Sequence, residues 1–267
     1  MGSTRCVVLL WGIYQTEPRQ SVNFIIAEKL LQNLYTIQNI SSGQVAQMCN
    51  VSKTSLTRFC RDMGYEDFSD LRMDLYNWVR NRSDPKEMLL LPFLHGQKDI
   101  YEPYLGRVEE QIRQMRRHVP TEQIRQIVQK IRRYDHVVVM GHMQAACNAI
   151  AFQQNLFCAG KMIDSYIRPA EQVEFFMSPD FGAQPQLILV FSVSGVFFSK
   201  YFPAGFQLHL PKDVELVMLT CNPDYRPEPY VTMTLNTGTG HYLDGANLSL
   251  DLLGNLICQQ YFNEETY

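Results

Sequence analysis

The chain has 267 residues, 46% of them hydrophobic and 19% charged, with a formal net charge of -3. That length suits two ordinary domains, and this balance excludes a disordered, fibrous or collagen-like chain. No apolar run approaches the roughly 18 residues that a membrane span needs, so no membrane partner is expected.

The N-terminal stretch from Cys6 to Tyr14 is apolar but short. It passes into Gln15-Thr16-Glu17 without a small-residue cleavage site, which argues against a secretory signal. A cytoplasmic location is the expectation. Seven cysteines stand at 6, 49, 60, 147, 158, 221 and 258, with no C-x-x-C pair. Scattered single thiols fit small buried residues in a reducing compartment, so neither disulfides, a metal site nor a cofactor is expected. Residues 1–134 carry 19 Lys+Arg against 14 Asp+Glu, and residues 135–267 carry 5 against 13. A polyanion such as double-stranded DNA is attracted to the first half and repelled by the second.

From about 20 to 80 the pattern is helical. Ser21 to Leu34 places Val22, Ile25, Ile26, Leu30 and Leu34 on one face. A short helix follows between Ile40 and Cys49 with a serine at its start. Asn50-Val51 makes a tight connection, and Ser52 caps a third helix from Lys53 to Met63. Gly64 closes that helix where a left-handed residue is usual. Phe68, Leu71, Leu75 and Trp78 mark a further helix. In the pair of helices around Asn50, Val45, Ala46 and Cys49 can pack on Val51, Leu56 and Phe59. This leaves Ser52, Lys53, Thr54, Ser55, Thr57 and Arg58 as the candidate DNA-binding residues of a helix-turn-helix. Arg and Lys suit guanine or phosphate, and the hydroxyls suit phosphates or base edges.

The string Val51-Ser52-x-x-Ser55-x-x-Arg58-Phe59-Cys60-Arg61-x-x-Gly64-Tyr65-x-x-Phe68-x-x-Leu71 resembles the N-terminal domain of the RpiR/MurR family of bacterial regulators, over roughly residues 20–80. The resemblance implies that Lys53 to Arg58 begin the recognition helix. Ser55 stands where the family more often has Thr.

Ser83-Asp84-Pro85, Pro92, Gly96 and Pro103 interrupt the helical pattern, which puts an interdomain linker at 81–104 after a helix-turn-helix domain at 1–80. Two Arg-rich helices follow, near Leu105–His118 and Thr121–Tyr134, with Pro120 between them. Strand–helix alternation then begins: His136 to Met140, a helix from about Gln144 to Ala159, Leu187 to Phe191, Glu215 to Thr220, Val231 to Leu235, and an apolar helix near Ala246–Phe262. Short continuous apolar runs of this kind are buried parallel strands. The expected fold class is α + α/β, an all-α helix-turn-helix domain followed by a parallel-sheet α/β sandwich at 105–267.

The family's second domain is a sugar isomerase (SIS) domain, a five-stranded parallel α/β sandwich that binds phosphorylated sugars, and residues from about 105 to 263 resemble it. Ligands in open α/β sheets bind beyond the carboxyl ends of the strands. The candidate ligand-binding residues there are Gly141 and His142 after one strand, and Ser192, Ser194 and Gly195 after another. Ser192-Val193-Ser194-Gly195 resembles the family's phosphate-cradling loop. The first loop departs from the usual G-x-G-x-S, since Met143 replaces the second glycine and Ala145 the serine. In the second, Phe197 stands where the family has threonine. No Lys or Arg lies in either loop.

These residues imply a DNA-binding transcriptional regulator whose partners are a double-stranded DNA operator and a small-molecule effector, a phosphorylated sugar being one class. Two alternatives stay open: a sugar-phosphate isomerase, and a regulator whose SIS-like domain has lost its ligand and serves assembly only. Glu171 and Glu174 lie on a helix after Pro169, yet no residue stands in a catalytic motif. Paired half-sites require a two-fold assembly, so a homodimer or homotetramer is expected. The apolar C-terminal helix, with Leu248, Leu250, Leu252, Leu253, Leu256 and Ile257, is the expected assembly surface.

Overall fold

The computed structural model describes residues 5–80, 99, 101–198, 202, 206–240 and 246–265. Most of the expected linker at 81–104 therefore lies outside the described residues. By their internal contacts, the elements up to residue 80 and those from 101 onward belong to two different compact units.

The first unit is all helix: α1 (Arg5–Thr16), α2 (Val22–Gln32), a 3-10 turn (Leu34–Asn39), α3 (Ser42–Met48), α4 (Lys53–Asp62) and α5 (Phe68–Arg80). Helix α1 was not expected. Its Cys6, Val7 and Leu10 join the core formed by Ile26, Leu30, Val45, Leu56, Phe59 and Leu71. Helix α2 ends sooner than its apolar pattern suggests, because Asn33 turns the chain into the 3-10 segment. Val22 also departs from the expected buried face and is largely exposed, while Phe24 and Ala27 are buried instead.

Serines start three of these helices. Ser21 accepts from the Phe24 N–H at 3.0 Å and Ser52 from the Ser55 N–H at 3.0 Å. Ser41 and Gln44 form a reciprocal capping box. Each cap satisfies backbone donors that the helix leaves unpaired and is worth about 1 kcal/mol.

The second unit begins with α6 (Tyr101–His118) and α7 (Thr121–Arg133). Helix α6 starts before the expected Leu105, because Pro103 falls in its first turn, where the missing N–H costs nothing. There follow β1 (His136–Gly141), α8 (Gln144–Cys158), β2 (Asp164–Tyr166), α9 (Pro169–Met177), β3 (Gln186–Phe191), β4 (Val214–Thr220), β5 (Met233–Asn236) and α10 (Ala246–Glu265). The five strands are parallel in the order β2-β1-β3-β4-β5. Strand β2 was missing from the sequence pattern, since Asp164-Ser165-Tyr166 is a short, half-exposed edge strand with no apolar run.

Val137, Val139, Leu187, Leu189, Val217 and Leu219 pack on one side of the sheet against Ile127 and Ile131 of α7, Phe152 of α8, and Leu253 and Ile257 of α10. The alternate residues Val138, Met140, Ile188, Val190, Leu216 and Met218 are buried as well. Both faces of the sheet are thus covered, as a parallel sheet requires. Glu215 is tied to Lys130, and it accepts from the Tyr134 hydroxyl at 2.9 Å.

Candidate functional site

Helices α3 and α4 meet at a turn made by Asn50, whose φ is 52°. Asparagine tolerates this left-handed conformation better than most residues. The turn is closed by the Val51 N–H donating to the Ala46 carbonyl at 2.9 Å. Leu56, Phe59 and Cys60 hold α4 in the core. Opposite them, Lys53, Thr54 and Arg58 are exposed. The lysine side chain runs along the first turn of α3, where a Cβ on Gly43 would lie 3.5 Å from its Cε. Ser52, Ser55 and Thr57 are committed within the helix. Ser52 Oγ caps the helix and lies 2.9 Å from Ser55 Oγ, and Thr57 Oγ1 donates to the Lys53 carbonyl at 3.0 Å. The six expected residues therefore divide into three exposed cationic or hydroxyl groups and three hydroxyls that shape the helix start. Gly64 has a φ of +83° and ends the helix as expected.

In the second unit the strand order reverses between β1 and β3, so the loops after these strands lie side by side at a topological switch point. Gly141 is required there. A Cβ would lie 2.5 Å from the Ala145 carbonyl oxygen. Met143 follows with φ 52° and ψ -120°, a conformation ordinarily left to glycine. A methionine thus occupies a backbone conformation that glycine adopts more readily.

After β3, the Gly195 N–H donates to the Ser192 carbonyl at 3.1 Å. Gly195 has a φ of +76°, and a Cβ would lie 2.4 Å from the Tyr225 ring. This turn is fastened to the end of β4. The Cys221 N–H donates to the Val193 carbonyl at 3.1 Å, and the Asn222 side chain donates to the Ser194 carbonyl at 3.0 Å. Ser192 is buried and Ser194 half-exposed.

Aromatic packing spans the two loops. Phe197 is fully buried and stacks on His142 with ring centroids 4.4 Å apart and planes 25° from parallel. Burial pulls the His142 imidazole down to about 3, so it is neutral at ordinary pH. Two of the three departures noted in the loops, Met143 and Phe197, are thus accommodated, one by backbone conformation and the other by stacking. A separate groove of about 790 Å³ is lined by Phe198, Phe206, Leu208, His209, Tyr230 and Glu228 among others, with no Lys or Arg among the described residues.

Gln172 was missed by the sequence pattern. Fully buried on α9, it donates to the Gly141 carbonyl at 3.1 Å and the Tyr166 carbonyl at 2.8 Å, tying the ends of β1 and β2 together. A single glutamine between Pro169 and Phe176 was the only signal available. Arg168 pairs with Glu171 and holds its carboxyl below the usual range.

Residues 20–81 match the family model described as helix-turn-helix domain, rpiR family. The N-terminal unit carries an rpiR-family helix-turn-helix domain. Helix α1 lies ahead of the matched region and adds its apolar face to the core of that domain. Comparison with curated proteins finds no match.

Among solved structures the chain is similar to the Vibrio vulnificus NanR protein complexed with ManNAc-6P. The two are 18% identical over 98% of this chain and 96% of that one, with a TM-score of 0.44. It is also similar to the sugar isomerase domain of an RpiR transcription factor from Sphaerobacter thermophilus, 18% identical over 62% and 89%, TM-score 0.43. A third is the c3406 protein of E. coli CFT073, 13% identical over 65% and 92%, TM-score 0.44.

The positive charge of the first half of the chain sits mostly outside the rpiR-type domain. Residues 1–80 carry 8 Lys+Arg against 7 Asp+Glu, and residues 81–134 carry 11 against 7. Within the domain, however, charge is segregated. From Lys29 to Arg61 there are four cations and no acid, while Asp62, Glu66, Asp67, Asp70 and Asp74 follow. The segment that holds α3 and all of α4 but its last residue, Asp62, is locally cationic in a nearly neutral domain. No helix of the described residues is long and apolar enough to cross a membrane.

Proposed function

We propose that this chain is a DNA-binding transcriptional regulator in which α4 enters the major groove of an operator and the α/β unit responds to a small ligand at the ends of β1 and β3. The observation that carries the first half is the acid-free segment around α3 and α4, from which Lys53, Thr54 and Arg58 project. Lys53 and Arg58 meet phosphates or guanine edges, and Ser52, Ser55 and Thr57 set the start of the helix that presents them. Two copies acting on paired half-sites make a homodimer or homotetramer the working form.

For the ligand, the half-exposed Ser194 hydroxyl beside the β1–β3 switch point supports an effector site formed with Gly141, His142, Ser192 and Gly195. A phosphorylated sugar is the class to test first. The His142–Phe197 stack favours a second reading, in which these loops have become part of the core and the unit serves assembly. Sugar-phosphate isomerisation is the least supported. Its base must take up a proton near neutral pH, whereas Glu171 is held ionised by Arg168 and His142 is held neutral by burial.

Gel-shift titration tests the proposal. Arg58→Ala and Lys53→Ala should each weaken operator binding with the fold intact, by roughly 1–3 kcal/mol for a lost base contact. A lost phosphate contact should flatten the salt dependence by about one unit of slope. Unchanged affinity in both variants removes α4 from the role. Repeating the titration with ManNAc-6P and other sugar phosphates, in the unmutated chain and in Ser194→Ala, separates a sensing unit from an assembly unit.

A further inference from the structure

At the carboxyl edge of the sheet, where α8 leaves β1 and α10 follows β5, many donors are already engaged within the protein. The Ala145 and Ala146 N–H groups, in the first turn of α8, donate to the His142 and Met143 carbonyls at 3.1 Å each, and the Gly195 N–H is spent on Ser192. The Asn222 side chain is given to Ser194, the Asn236 side chain to the Asn222 carbonyl at 2.6 Å, and the Gly238 N–H to Asn236 Oδ1 at 2.9 Å. Acceptors, by contrast, are left over. Asn148, nine-tenths buried and one turn into α8, donates through Nδ2 to the Asn247 carbonyl at 3.2 Å. Its Oδ1 is buried and meets no donor among the described residues. Asn247, in the first turn of α10, gives its Nδ2 to Gln144 and also carries a buried Oδ1 without a donor among them. Gln172 repeats the imbalance at the ends of β1 and β2: both of its bonds are donated, and its Oε1 accepts none. A buried amide oxygen without a donor is costly, and most such groups in folded proteins are paired.

We propose that the effector site at the ends of β1 and β3 reaches the Gln144, Asn148 and Asn247 side chains and takes an uncharged polyhydroxylated molecule, an unphosphorylated sugar or sugar alcohol, whose hydroxyls donate to Asn148 Oδ1 and Asn247 Oδ1. This rests on the reading of the α/β unit as a sensor and names its ligand class. A phosphate dianion brings acceptors only and asks for cations or free donors. No Lys or Arg lies in either loop, and burial holds His142 neutral. The Ser192 and Ser194 hydroxyls alone are a thin supply for a buried charge. A sugar hydroxyl instead brings a donor to each spare acceptor. Gln144 is half-exposed and has only to turn away from Asn247 to admit one, after which Asn247 Nδ2 donates to the hydroxyl oxygen. No carboxylate belongs to the cluster, which favours a hydroxyl over an ammonium group as the donor.

Calorimetric titration of the full chain tests it, with unphosphorylated hexoses, N-acetylhexosamines and hexitols, each beside its 6-phosphate. At least one unphosphorylated member should bind more tightly than its 6-phosphate, by roughly tenfold or more. Asn148→Leu should weaken that member by roughly tenfold, with circular dichroism unchanged. Asn247→Ala, at a half-exposed position, should do the same and serves if leucine disturbs the packing. A panel in which the 6-phosphates bind better overturns this inference and leaves the sensing unit standing. A panel in which nothing binds removes both. Undiminished binding in the two variants also overturns it, and would assign the spare oxygens to buried water.

Discussion

Two tight turns in this chain have the same φ and different consequences. Asn50 and Met143 both stand at 52°, the only non-glycine residues with positive φ among those described. Asn50 suits its place: a short polar side chain tolerates the left-handed region at little cost. Met143 does not, because its ψ of -120° takes it to a region that costs a residue with a Cβ about 1–3 kcal/mol. The first turn belongs to a unit where local choices agree with one another, with Ser41, Ser52 and Gly64 each doing what its position asks. The second belongs to a loop whose backbone conformation suits glycine better than the methionine that occupies it. In the helix-turn-helix the groups offered to a ligand stand outside the core. At the strand ends, four of the five candidate groups, Gly141, His142, Ser192 and Gly195, are buried, and Ser194 is half-exposed.

The largest effect should come from breaking that contrast at Phe197. Truncating a fully buried phenylalanine costs about 3–5 kcal/mol, and here it also removes the ring that His142 stacks on. Denaturant titration of Phe197→Ala should show a loss in this range, while Arg58→Ala stays within about 0.5 kcal/mol of the unmutated protein. A cost below about 1 kcal/mol at Phe197 would mean that the strand ends are open after all.

Acid should act on the same stack. The imidazole of His142 titrates near 6.5 when the chain is unfolded and at about 3 when folded. Its folded value is depressed, so the unfolded chain takes the proton first. The contribution to stability is complete above pH 6.5 and falls by about 1.4 kcal/mol per pH unit until the folded group titrates near 3. Replacing His142 by Leu should remove this slope from a series of denaturant titrations at pH 4, 5 and 6. An identical slope in both proteins would assign the acid sensitivity to carboxylates such as Glu215, which burial pushes up but Lys130 and Tyr134 together hold below the usual range.

The sequence made the helix-turn-helix legible because its determinants are local. Serines before helices, Asn50 in a turn and Gly64 after α4 act within four residues of where they are seen. The parallel strands were legible for a similar reason, as continuous apolar runs. Helix α1 was not, because Cys6 to Tyr14 is apolar nearly all round and shows no period to read. Strand β2 was not, since its place is set by backbone pairing to Val138–Met140 rather than by its own side chains. At the candidate ligand site, the departures at Met143 and Phe197 were visible, but their outcome was not. Whether a phenylalanine after a loop points into a crevice or away from it depends on His142, 55 residues earlier in the chain. Gln172 is harder still, as its two acceptors are carbonyls on different strands.

The smallest effect returns to the paired turns. Met143→Gly should relieve about 1–3 kcal/mol of backbone strain and return part of it, about 0.5–1 kcal/mol, through the greater freedom of glycine in the unfolded chain. A net stabilisation of roughly 1 kcal/mol is expected, seen as a rise in the denaturant midpoint without a change in slope. Asn50→Gly loses the same unfolded-state entropy but relieves almost no strain, so it should be neutral or slightly destabilising. Neither substitution touches the other unit's chemistry, and operator affinity should stay unchanged in Met143→Gly. If instead the methionine variant is the less stable of the two, the thioether of Met143 contributes packing that outweighs its strain. The loop would then be a settled part of the core, with no memory of a ligand in its shape.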